Sequence, residues 1–140
     1  MTKNHWTIAV WLRIQEPRFI TIMQTLIYGL CAWAGIATVL APPSSIEGQF
    51  GLTVTLVWGW FAILGGVAGA IACPFGKWLI EKPAIILCAT ATLIYAGIIL
   101  TLHIQETGNR IPQLCFVVMT LLYLTSRYAR IRPFSYQPGK

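Results

Sequence analysis

The chain has no aspartate and little charge of either sign. Its 140 residues include ten Lys and Arg and four acidic residues, all glutamate: Glu16, Glu47, Glu81 and Glu106. Charged residues make up 10% and apolar residues 56%, where a soluble domain carries about 25% and about 50%. So few charges cannot keep a folded surface dispersed in water, and a soluble globular domain is excluded. Carboxylate pairs of the kind that hydrolyse glycosides are missing, and Ser44, Ser45, Ser126 and Ser135 have no His–acid set within reach. Phosphate loops, the GxSxG elbow and the dinucleotide-binding glycine fingerprint are absent as well. No enzyme activity, no cofactor and no small-molecule substrate are expected.

Metal ligands are equally scarce. His103 and Glu106 stand three residues apart, which puts them on one helix face, but a site needs three or four ligands. His5, the other histidine, belongs on the opposite side of the membrane. No metal is expected, and His103 reads as part of a polar interface at headgroup depth. The four cysteines, Cys31, Cys73, Cys88 and Cys115, form no CxxC pair and lie in or beside apolar runs. They read as small hydrophobes ahead of disulfides, metal ligands or lipidation sites.

What the sequence has is long uncharged runs. Phe19 to Ala41 is free of charge and ends at Pro42-Pro43. That is enough to cross a hydrocarbon core about 30 Å thick. A second uncharged run lies between Glu47 and Lys77, and its helical part is expected over 52–73. A third is expected over 84–104, with Pro83 in its first turn. The fourth, 111–128, is the shortest, and Arg127 near its end is expected to snorkel toward lipid headgroups. The reading is an all-α, integral membrane four-helix bundle forming a single domain. Residues 1–18, with Trp6, Val10, Trp11 and Ile14 on one face, add a short interfacial helix, and 129–140 a basic tail.

Orientation follows from the basic residues. With the N-terminus inside, Lys3, Arg13, Arg18, Lys77, Lys82, Arg127, Arg130, Arg132 and Lys140 all fall on the cytoplasmic side, leaving only Arg110 outside. Both termini are therefore expected in the cytoplasm. The net charge of +6 then reflects contact of Arg13, Arg18, Lys77, Lys82, Arg127, Arg130 and Arg132 with anionic lipid. Nucleic acid is not an expected partner, because these residues flank apolar runs instead of forming one stripe.

Two features bear on function. Small proton-coupled exporters need a carboxylate inside the bilayer, and here every glutamate reads as loop or flank. The second span, by contrast, carries Ala62, Gly65, Gly66, Gly69 and Ala70, rows of small residues that let helix backbones approach closely. Ala84, Cys88, Thr92 and Ala96 form a similar row on the third span. Such faces serve packing within a bundle or between protomers of a homo-oligomer, and the sequence leaves both open.

The segments Arg13-Ile14-Gln15-Glu16-Pro17-Arg18, Pro42-Pro43-Ser44-Ser45-Ile46-Glu47-Gly48, Leu102-His103 with Gly108-Asn109-Arg110-Ile111-Pro112, and Arg127-Tyr128-Ala129-Arg130-Ile131-Arg132 resemble those of small four-span membrane proteins of actinobacterial phages. The likeness runs through nearly the whole chain. Some of those proteins are described as holins, others only as membrane proteins. The resemblance implies a phage-encoded protein of the host inner membrane. Its role would be to oligomerise and permeabilise that membrane, or alternatively to bind or dock there, as a superinfection-exclusion factor does. It supplies no catalytic residues.

Overall fold

The computed structural model describes residues 18–105 and 108–132. The expected interfacial helix, Arg13 with it, and the tail from 133 onward lie outside them. The described residues form four helices and no strand: α1 (Arg18–Leu40), α2 (Ser44–Ala72), α3 (Trp78–Gln105) and α4 (Ile111–Ile131). Four segments, Arg18–Leu40, Phe50–Ala72, Trp78–Gln105 and Ile111–Ile131, are long and apolar enough to cross a membrane. This is the architecture of an integral membrane protein.

Two helices start earlier than the uncharged runs suggest. Residues 44–48 read as a polar loop, yet α2 begins at Ser44, directly after Pro43, and accommodates a break at Gly51. Gly51 has φ 77° and ψ 159°, a region that only glycine occupies without strain. The first turns of α2 can therefore lie at an angle to the span, with Ile46 buried and Glu47 exposed. Likewise α3 begins at Trp78, so Pro83 is inside the helix. Its missing N–H leaves the carbonyl of Leu79 without a helical partner, at an end of the helix where Leu79 is 85% exposed. The early start carries Glu81 into α3.

Each helix packs mainly on its neighbours in sequence. One core cluster gathers Tyr28, Cys73, Ile85, Cys88, Leu124 and Ile131, and another gathers Ile46, Trp58, Ala62, Ala91, Ile98 and Leu102. Outward faces are apolar, with Leu30, Trp33, Phe116 and Leu122 well exposed, as helices bathed in acyl chains require. Threonine hydroxyls inside the spans bond the carbonyl four residues back, as Thr38 does to Ala34 at 2.9 Å and Thr92 to Cys88 at 2.7 Å. Each such bond satisfies a hydroxyl that lipid could not.

The small-residue rows are used inside this one bundle. A Cβ added at Gly65 would lie 2.8 Å from the Cys88 amide nitrogen and 2.9 Å from the Ala84 carbonyl oxygen of α3. At Gly66 it would strike the Ala32 amide and approach the Tyr28 carbonyl oxygen to 2.6 Å on α1. At Gly69 it would meet the Tyr28 ring at 2.5 Å. Consecutive glycines thus admit α3 on one side and α1 on the other. Ala62 is buried and Ala70 half-buried in the same rows.

Candidate functional site

At the end of the bundle where α1 and α3 begin and α4 finishes, polar side chains meet in the core. Glu81, in the first turn of α3, is fully buried. Arg127 of α4 grips it with both edges of its guanidinium. Nε lies 2.7 Å from Oε1 and Nη2 lies 3.0 Å from Oε2, the two-pronged geometry that makes an arginine–carboxylate pair strong. Tyr28 of α1 donates its hydroxyl to Glu81 Oε1 at 3.2 Å. One helix turn earlier, Gln24 accepts a 2.6 Å hydrogen bond from the Tyr123 hydroxyl of α4. The Cys73 thiol, 3.9 Å from Arg127 Nη2 and 3.9 Å from the Thr21 carbonyl, closes the group. This clasp joins α1, α3, α4 and the end of α2.

Two sequence expectations are corrected here. Glu81, expected in the turn between two spans, is a buried carboxylate in the first turn of α3. Its charge is matched by Arg127. Arg127 in turn points inward, its side chain only 16% exposed, where headgroup contact was expected. An opposite charge within hydrogen-bond reach outweighs snorkelling, because leaving Glu81 unpaired in a low dielectric costs several kcal/mol.

The other expected headgroup residues gather at the same end. Lys77, Arg130 and Arg132 are exposed, while Arg18 and Lys82 are half-buried. Lys82 Nζ donates to the Arg132 carbonyl oxygen at 3.4 Å, which joins the start of α3 to the end of α4. His103 sits toward the opposite end. Its Nδ1 is 3.2 Å from the Gly108 carbonyl oxygen and 3.5 Å from the Arg110 amide nitrogen, which ties down the turn between α3 and α4. Glu106 lies outside the described residues, among which no His, Cys, Asp and Glu cluster could hold a metal.

Beyond the clasp, α1 and α4 part. A crevice of about 470 Å³ opens between the four helices, lined among others by Leu30, Thr38, Trp58, Tyr95, Val117 and Thr120. Trp58 and Tyr95 form one aromatic wall, with ring centroids 5.0 Å apart. The Tyr95 hydroxyl accepts from Gln113 Nε2 of α4 at 2.7 Å, which holds the far end of α4 to α3. The helix α4 is thus pinned near both ends and stands away from α1 between them.

Of the clasp residues, Tyr123 suits the inner end of the fourth span as an interface aromatic, whereas Gln24 and Tyr28 have no place in the sequence reading. Gln24 and Tyr28 are larger polar side chains than the threonines of the same run and stand four residues apart on one face. That spacing was the available signal. The chain matches no protein-family model, no curated protein and no solved structure.

Proposed function

We propose that this chain is a phage-encoded, holin-like protein of the host inner membrane that oligomerises and permeabilises it. The observation that carries the reading is the split bundle: four apolar spans in which α4 is fastened to α1 by one polar clasp and otherwise separated from it by a crevice. An arrangement of this kind can exchange contacts within a protomer for contacts between protomers by moving one helix. Because Gly65, Gly66 and Gly69 are occupied by α1 and α3, assembly in the resting packing falls to the outward faces of α1 and α4, Leu26, Leu30 and Trp33 on one and Phe116, Met119 and Leu122 on the other. The basic end, with Lys77, Arg130 and Arg132, lies at the cytoplasmic face against anionic lipid.

The alternative, a docking or exclusion protein, draws support from the same glycines. Small faces spent inside one protomer and locked by an ion pair suit a self-contained bundle. Controlled expression in a bacterial host separates the two. With membrane potential and dye entry followed, and with or without a co-expressed endolysin, the holin reading expects depolarisation, dye entry and endolysin-dependent lysis. Full expression without depolarisation rejects it in favour of docking.

The orientation makes its own prediction. Reporters fused after Pro43 and Asn109 are expected outside, and those fused after Lys77 and Lys140 inside. An exposed reporter at Lys140 would overturn the even number of spans.

A further inference from the structure

Two thiols from different helices line the crevice. Gly65 faces α3 at Cys88, and its neighbour Gly66 faces α1 at Ala32. These contacts set Cys88, and Ala32 with its neighbour Cys31, against adjacent positions of α2. Cys31 and Cys88 both line the crevice, and Cys31 packs on the core cluster that contains Cys88. Cys31 is half-buried and Cys88 is 1% exposed. Cys73 and Cys115 take no part, since one belongs to the clasp and the other is exposed on α4.

We propose that Cys31 and Cys88 are a dithiol site that a membrane-dissolved quinone oxidises to a disulfide linking α1 to α3. The crevice is apolar and flanked by the Trp58–Tyr95 wall, so it admits a flat apolar molecule from the lipid and disfavours a charged oxidant from water. Quinones are the acceptors through which bacterial membranes draw electrons from thiols. Cys31, the more accessible sulfur, bonds to the quinone, and Cys88 then attacks that sulfur and displaces the quinol. Two S–H bonds break and one S–S bond forms. Two electrons and two protons end on the quinol oxygens. Reactants and products are neutral, which a low-dielectric site favours over any route ending in a thiolate.

The test uses the full chain in lipid nanodiscs, a fully substituted benzoquinone that cannot form stable ring adducts with thiols, and maleimide labelling after denaturation. Untreated protein carries four maleimides, one per cysteine. Treated protein is expected to lose two, to recover them on reduction, and to yield one quinol per chain. Cys73→Ser and Cys115→Ser should still lose two. Cys31→Ser, Cys31→Ala and Cys88→Ala, with unchanged helical circular dichroism, should lose none and yield no quinol. Four labels on quinone-treated wild type overturn the proposal, as does a Cys31→Ala variant that still loses two. Faster closure by oxidised glutathione than by the quinone overturns the claim of access from the lipid.

Discussion

Arg127→Met is expected to destabilise the bundle by about 3–5 kcal/mol, the cost of leaving a buried charge without its partner. Glu81 accepts hydrogen bonds from Arg127 at 2.7 and 3.0 Å and from Tyr28 at 3.2 Å. Without the guanidinium its carboxylate stays in the core with a single phenol donor. Glu81→Leu should be as harmful for the converse reason, since it strands the arginine. The double variant Glu81→Leu/Arg127→Met should recover most of the loss, because well-packed apolar residues often replace a buried ion pair at little cost. Unfolding of the four proteins in mixed micelles, read as a double-mutant cycle, checks this. Additive effects, with the double variant twice as damaged as either single one, would show that the pair is not a unit. Tyr28→Phe, which removes one donor to the charged carboxylate, is expected to cost less, about 1.5–3 kcal/mol.

Gly66→Leu should be the most disruptive change on the glycine face. The position has no room for even one carbon, because the obstacles are the Ala32 amide and the Tyr28 carbonyl, backbone atoms that cannot rotate away. Overpacking of this kind typically costs about 1–3 kcal/mol, and here α1 and α2 must separate to relieve it. Gly29 is the matched control, with nothing within 4 Å of an added Cβ, and Val67→Leu is a second, on an exposed position. Thermal unfolding in detergent and cysteine cross-linking between α1 and α2 report the separation. Should Gly66→Leu match Gly29→Leu, the α1–α2 crossing is misplaced. Gly69→Ala reaches the clasp indirectly, since its methyl would press on the Tyr28 ring whose hydroxyl serves Glu81.

These two sites differ in how far the sequence announces them. The glycine rows are local, spaced at four residues in one helix, and show in any reading of α2. Their partners on α1 do not show, because the Ala32 and Tyr28 contacts are backbone atoms and a ring, without a motif. The four spans are legible for the same reason as the rows: absence of charge over a long stretch is a local property. Charge is where local reading fails. Lys77, Glu81 and Lys82 look like a turn between spans, yet nothing from Trp78 onward prevents helix except Pro83, and that falls within the first two turns, four residues after the exposed Leu79. What permits Glu81 inside the bundle is Arg127, 46 residues later. Arg127 looked like the ragged end of a short span for want of knowing where Glu81 points. Gly51 hides similarly, because a break with positive φ in a helix has no signal beyond the glycine itself.

The Glu81–Arg127 pair also imposes an order on biogenesis. As synthesis proceeds, α3 reaches the bilayer before α4 exists and carries Glu81 into it with strong apolar support on its C-terminal side. The last segment is the least apolar of the four, and a lone arginine in a span opposes its insertion, by at most about 2.5–3.5 kcal/mol at the bilayer centre and by less near an end. An acidic acceptor is already waiting when Arg127 arrives. Insertion of the final helix is thus helped by the third being in place, and a truncated α3 is expected to lower the fraction of α4 that integrates, as protease protection of α4 would report.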